Sequence, residues 1–158
     1  MSANLAACFS SASQEWGTPQ DLFDQLNREF GPFDLDAAAN VINQKCDRYY
    51  SKNDDALSVE KWDGERIWLN PPYGRELGKW VEKAEEQAHI YGKRVVMLLP
   101  ARTDTKWWHK YVSDADVVRF IKGRLKFEGA KSSAPFPSVI VVFDGEGYAD
   151  LQEWMIRG

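Results

Sequence analysis

Residues 67–73 read Ile67-Trp68-Leu69-Asn70-Pro71-Pro72-Tyr73, an apolar run that breaks abruptly into an asparagine, two prolines and a tyrosine. Large apolar residues closed by prolines predict a buried strand that ends in a rigid loop. Each proline lacks an N–H and has a fixed φ, and Pro71 biases Asn70 towards extended backbone. The loop therefore holds two acceptors close together, the Asn70 side-chain oxygen and the Pro71 carbonyl. Such a pair suits an exocyclic amine. The lone pair of an amine such as N6 of adenine is delocalised into the ring, which makes the nitrogen a poor nucleophile. One acceptor on each N–H shifts it towards tetrahedral geometry and aims its lone pair at a methyl donor. Tyr73 adds a flat face for an extruded base, a stacking interaction worth roughly 1–3 kcal/mol per base in nucleic-acid binders. Asn70, Pro71, Pro72 and Tyr73 are the candidate catalytic residues for methyl transfer onto a planar amine.

Outward from this loop the chain alternates helix and strand. Upstream, Thr18-Pro19 reads as a helix start, with Thr18 as cap and Pro19 in the first turn. Leu22, Phe23, Leu26 and Phe30 follow at helical spacing, and Gly31-Pro32 stops the helix. Phe33-Asp34-Leu35-Asp36 predicts a short strand ending in carboxylates. Downstream, a helix is expected over residues 77–91, with Trp80, Val81, Ala84 and Ala88 on its inner face and Gly92 as its stop. The continuous apolar run Val95-Val96-Met97-Leu98-Leu99 predicts a strand covered on both faces. Residues 105–111 read as helical. Residues 117–121 and 138–143 read as two late strands forming an antiparallel hairpin, and 147–157 as a short last helix. The pattern predicts an α/β fold, a mainly parallel sheet with a C-terminal antiparallel hairpin. In such sheets ligands bind beyond the carboxyl ends of the strands, where Asp36 and Asn70 both fall.

A chain of 158 residues with 44% hydrophobic content can bury one core, so one domain is expected over 16–158 after a flexible start at 1–15. No segment reads as a membrane span or a secretory signal, which predicts a cytoplasmic protein with no membrane partner. Two cysteines, Cys8 and Cys46, and two isolated histidines, His89 and His109, give no disulfide scaffold and no metal-ligand cluster, so no metal is expected. The net charge of −4 argues against indiscriminate nucleic-acid binding. The basic residues nevertheless concentrate late in the chain, interleaved with Trp107, Trp108, Phe120 and Phe127. Arg102, Lys106, Lys122, Arg124 and Lys126 are the candidate DNA-phosphate contacts.

At these residues the chain resembles the phage-type DNA N6-adenine methyltransferase family, the Dam-like enzymes that use S-adenosylmethionine. Trp16-Gly17-Thr18-Pro19 is similar to the family's Trp-x-Thr-Pro segment, and Phe33-Asp34-Leu35-Asp36-Ala37-Ala38-Ala39 to its Asp-x-Asp-x-Ala-Ala segment. Asn70-Pro71-Pro72-Tyr73 resembles its catalytic loop. Leu98-Leu99-Pro100-Ala101-Arg102-Thr103-Asp104-Thr105, Gly123-Arg124-Leu125-Lys126-Phe127 and Pro135-Phe136-Pro137-Ser138 follow in the family's order. The resemblance implies a compact Rossmann-like methyltransferase fold, S-adenosylmethionine as cofactor and DNA as partner. It also implies that Asn70, Pro71 and Tyr73 orient the target adenine. Asp36 with the Ala37-Ala38 turn lies near the donor by the same resemblance, and Trp16, Thr18 and Pro19 near its methionine end. Asp34 is the alternative to Asp36 as the donor's carboxylate, and Asp55 belongs to an acidic turn flanking the donor's adenine.

Two departures shape the expectation. The turn Asp36-Ala37-Ala38-Ala39-Asn40 contains no glycine, unlike the usual nucleotide-binding turn. The span from Asp36 to Asp55 is too short for a full strand-helix-strand-helix set, which points to a sheet short of a strand pair. No separate recognition domain is evident, so sequence selectivity is expected from residues 103–110 and 128–137. An RNA or protein-glutamine methyltransferase shares the Asn-Pro-Pro-Tyr loop, and a catalytically silent nucleic-acid-binding module keeps the fold. These are the alternative readings.

Overall fold

The computed structural model describes residues 16–145, so the expected flexible start and the expected helix over 147–157 lie outside the described residues. A five-stranded sheet runs in the order β1-β2-β3-β5-β4. Its strands are β1 (Leu35–Asp36), β2 (Arg66–Leu69), β3 (Arg94–Pro100), β4 (Val117–Phe120) and β5 (Ser138–Asp144). β1 pairs parallel with β2, and β2 with β3. β5 lies antiparallel between β3 and β4, so the four other strands point the same way. The predicted hairpin is present, with its return strand β5 inserted inside the sheet. β3 and β5 are the sheet's centre and are buried almost throughout, which is why both read as unbroken apolar runs.

Helix α1 (Gln20–Phe30) buries Phe23, Leu26 and Phe30, three of the four apolar positions expected at helical spacing, while Leu22 is only half-buried. Thr18 does not cap it. The cap residue is Pro19, whose carbonyl accepts from Phe23 N–H at 3.1 Å, while the Thr18 hydroxyl turns to Asn70. Helix α2 (Leu77–Tyr91) has the predicted bounds and ends at Gly92 in left-handed backbone, φ 70°, with Gly92 N–H bonded to Ala88 O. Its inner face holds Val81, Ala84 and Ala88 as expected, plus Leu77 and Gln87, whereas Trp80, also expected there, is only half-buried. Gln87 is buried because its side chain closes a polar seam, accepting from Trp62 N–H at 2.8 Å and donating to Glu60 O at 2.8 Å. Helix α3 (Lys106–Lys110) is capped by Thr105, whose hydroxyl oxygen accepts from Trp108 N–H.

Between Asp36 and Arg66 the chain adds no further strand and only the 3-10 turn Ala56–Ser58. The outer edge of β1 is covered instead by a single bridge. Asp36 N–H donates to Arg48 O at 3.1 Å and Tyr50 N–H to Asp36 O at 2.9 Å. This short lateral segment satisfies the backbone groups that an additional strand would otherwise pair. Because β1, β2 and β3 are parallel, the residues that follow them converge on one edge of the sheet, and the cleft lies there.

Candidate active site

A cleft of about 700 Å³ opens at the carboxyl edge of β1 and β2. Asp36 ends β1 and Asn70 follows β2, and both line it, as do Trp16, Thr18, Ala38, Asp55 and Pro72. A volume of this size falls in the range of small-molecule sites, roughly 300–1,000 Å³. Its wall combines indoles from Trp16, Trp68 and Trp80 with the carboxylates of Asp36 and Asp55. Flat apolar faces beside carboxylates match a ligand that carries both a ring and positive charge.

Asn70 is held from two sides. Its Nδ2 donates to Trp16 O and, at 3.0 Å, to Thr18 Oγ1. Its Oδ1 is buried and has no hydrogen-bond partner. Buried side-chain oxygens are normally satisfied, so an orphan acceptor on a residue that lines the cleft marks a place where a donor belongs. Asp36 is 2% exposed and accepts from Ala38 N–H at 3.3 Å and Lys45 N–H at 3.0 Å. Burial pushes its pKa up from the ordinary 3.8 to about 6, against the lowering effect of those two N–H groups and the Lys45 charge. A cation entering the cleft would favour its ionised form.

Asp34 is placed elsewhere. Its carboxylate accepts from Glu65 N–H and Arg66 N–H at 2.9–3.1 Å, fixing the approach to β2, and it does not line the cleft. Of the two carboxylates left open by the sequence, Asp36 is the one at the site. Pro19 and Ala37 also stay out of the cleft wall, Ala37 because it is fully buried under β2 with its N–H bonded to Trp68 O. Asp55 sits in left-handed backbone, φ 51°, and its Oδ2 accepts from Ser58 Oγ at 2.6 Å.

Tyr73 corrects an expectation. The open stacking face anticipated for it is covered, because the residue is only 5% exposed and its ring meets Phe127 and Phe136 at 6.3 and 5.7 Å between centroids, both edge-on. Its hydroxyl donates to Leu98 O at 2.9 Å. Pro71 is buried beside it, and Pro72 is half-buried. The candidate DNA contacts Arg102, Lys106, Lys122, Arg124 and Lys126 are all exposed. Arg102 also donates to Tyr73 O at 3.4 Å.

Lys45, Trp68 and Trp80 line the cleft without having been singled out for it. Trp80 was read only as core, and no local pattern separates Lys45 from a solvent lysine. Its side chain is 6% exposed and its Nζ binds Gln20 Oε1 at 2.8 Å and Glu128 Oε1 at 2.6 Å. Among the described residues no group of three or more His, Cys, Asp or Glu is placed to hold a metal ion, and no helix is long and apolar enough to cross a membrane.

Comparison with known proteins adds a family. The chain is 33% identical over 158 residues to a DNA N-6-adenine-methyltransferase of Haemophilus phage HP1, covering 90% of each chain. It is 36% identical over 112 residues to a DNA N-6-adenine-methyltransferase of Escherichia phage T1, covering 70% of this chain and 45% of that protein. It thus spans under half the length of the phage T1 relative. A solved SAM-dependent O-methyltransferase from Thermotoga maritima superposes with a TM-score of 0.36 at 11% identity, over 61% of this chain and 40% of that one. The model of the DNA N-6-adenine-methyltransferase (Dam) family matches residues 7–145, most of the sequence, and the chain belongs to that family.

Proposed function

We propose that this protein transfers a methyl group from S-adenosylmethionine to the exocyclic N6 of adenine in DNA. Family membership supports the reaction. The observation that carries it in this chain is the buried, unpartnered Oδ1 of Asn70, a residue that lines an acidic, aromatic cleft. On this reading the five-stranded sheet is a reduced Rossmann-like methyltransferase sheet, and residues 16–145 form one domain.

The cleft residues fit the donor. Asp36 and Asp55 supply negative charge for a ligand carrying sulfonium and ammonium groups, and the three indoles supply faces for its rings. When bound, the donor supplies an electrophilic methyl group on a cationic sulfur. Asn70 Oδ1 accepts one N–H of the adenine amine and the Pro71 carbonyl accepts the other, which turns the nitrogen lone pair outward. No general base is needed before transfer, because the amine proton becomes acidic only once the nitrogen has gained its fourth bond. Exposed Arg102, Lys106, Lys122, Arg124 and Lys126 meet DNA phosphates. A base extruded from the duplex reaches the Tyr73 ring only after Phe127 and Phe136 move aside, so engagement of DNA is coupled to displacement of residues 122–137.

The test is incubation of purified protein with labelled S-adenosylmethionine and unmethylated DNA, followed by nucleoside analysis. N6-methyladenine formed by the wild type and missing with Asn70→Ala is the expected result. Label appearing only in RNA or protein would move the assignment to another methyl acceptor.

A further inference from the structure

The side-chain amide of Asn70 has two hydrogens and one oxygen, and both its contacts use the nitrogen. One partner, the Trp16 carbonyl, can only accept. Rotating the amide by half a turn would set oxygen against oxygen there, so the contact assigns Nδ2 to the Trp16 carbonyl and leaves Oδ1 as the end without a partner. The other partner, Thr18 Oγ1, is 3% exposed and stands where sequence would make it a helix cap, yet it gives no cap to α1. Its position is explained by Asn70, to which it is bonded across 52 residues.

Both partners are anchored. Trp16 packs its ring against Phe127 and Phe136, each 5.2 Å away between centroids. Gly17 O accepts from Glu128 N–H at 2.8 Å, and the segment leads directly into α1. A clamp built on such supports holds the amide before any substrate arrives.

We infer that Thr18 is a positioning residue of the methyl-transfer step: its hydroxyl and the Trp16 carbonyl lock the Asn70 amide with Oδ1 towards the substrate. This role rests on the proposed reaction and differs from the donor contact that family resemblance implies for Thr18. Loss of the hydroxyl leaves the amide on the Trp16 carbonyl alone and loosens its hold, and any excursion that turns the amide points N–H at an amine that is itself a donor. Turnover then falls while the donor still binds.

The experiment compares Thr18→Val, which keeps shape and removes the hydroxyl, with Thr18→Ser, which keeps the hydroxyl, and with Thr18→Ala in case the extra methyl of valine disturbs folding. Donor Kd is measured by calorimetry and kcat at saturating donor and DNA. Exchange of the Asn70 side-chain amide protons is followed by NMR, their resonance identified by its loss in Asn70→Ala. Thr18→Val is expected to lower kcat by about 10–100-fold with donor Kd within about threefold, and Thr18→Ser to recover most of it. Thr18→Val should add nothing to Asn70→Ala, since the two act as one unit. Its Asn70 amide protons should exchange at least about tenfold faster than in the wild type. A weakened donor Kd with kcat preserved would make Thr18 a donor ligand and overturn the inference. Unchanged amide exchange would overturn it too, whether or not DNA is methylated. A wild type that methylates no DNA counts against the proposed reaction alone, and the exchange measurement still decides the clamp.

Discussion

Lys45 Nζ and Glu128 Oε1 lie 2.6 Å apart, joining the loop that follows Asp36 to the basic segment that follows β4. Lys45 also donates its backbone N–H to Asp36, so one residue touches the cleft carboxylate and the candidate DNA segment. Glu128 is 42% exposed, and the ion pair by itself contributes little, at most about 1 kcal/mol. Its effect is on geometry. Glu128→Gln should weaken donor binding a few-fold and raise hydrogen exchange at the Glu128 N–H that bridges to Gly17, with kcat at saturating donor kept. Unchanged exchange there would separate the two loops.

Asn70→Ala should reduce turnover by about 100-fold or more while donor Kd stays within about threefold, because the lost contacts orient the reacting nitrogen. Nucleoside analysis paired with calorimetry checks it. A matching loss of donor affinity would assign Asn70 to the donor instead.

With Asp36 as the donor's carboxylate, donor binding is expected to depend on pH. Its folded pKa of about 6 lies above the ordinary 3.8, so the folded protein holds the proton more tightly and ionisation costs stability as pH rises from about 4 to 6. A cationic ligand reverses that preference by favouring the ionised form. Donor affinity should therefore rise as pH increases towards 6 and level off above it, with a loss of about tenfold per unit below. Asp36→Asn should bind weakly with no such slope. Titrations at several pH values read both, and a wild-type slope centred far from 6 would point to another group.

A Tyr73 that acted through its ring face alone would tolerate Tyr73→Phe. The hydroxyl is the donor to Leu98 O inside the core, so its removal leaves a buried carbonyl unpaired and should cost about 1–3 kcal/mol. Tyr73→Ala adds a cavity among Phe127 and Phe136 and should cost about 3–5 kcal/mol. Urea unfolding measures both, and a neutral Tyr73→Phe would mean that water replaces the hydroxyl.

Lys122 and Arg124 are exposed, so Lys122→Ala with Arg124→Ala should leave stability within about 0.5 kcal/mol. If both meet phosphates, the slope of log K against log salt for DNA binding should shrink by about 1.8. An unchanged slope would remove them from the interface.

Elements whose signals are local were legible in the sequence. The bounds of α2 follow from apolar residues at helical spacing and a glycine that accepts left-handed backbone, and β3 and β5 follow from unbroken apolar runs. The two-residue β1 was legible as a strand but not in its edge, because the Arg48–Tyr50 bridge that covers it has no periodicity to read.

The sequence by itself determined the family, the alternation of strand and helix, and the convergence of Asp36 and Asn70, since residues that end neighbouring parallel strands meet at one edge. Only the tertiary structure decided what those side chains face. Asp36 rather than Asp34 enters the cleft because Asp34 is occupied by two backbone N–H groups before β2. Thr18 bonds Asn70 instead of capping α1, and Tyr73 is closed over by aromatics more than fifty residues downstream. Local propensity reads neighbours a few positions away, whereas a hydroxyl or a ring takes the partner that folding brings within 3 to 6 Å, and that partner is fixed by the packing of the whole sheet.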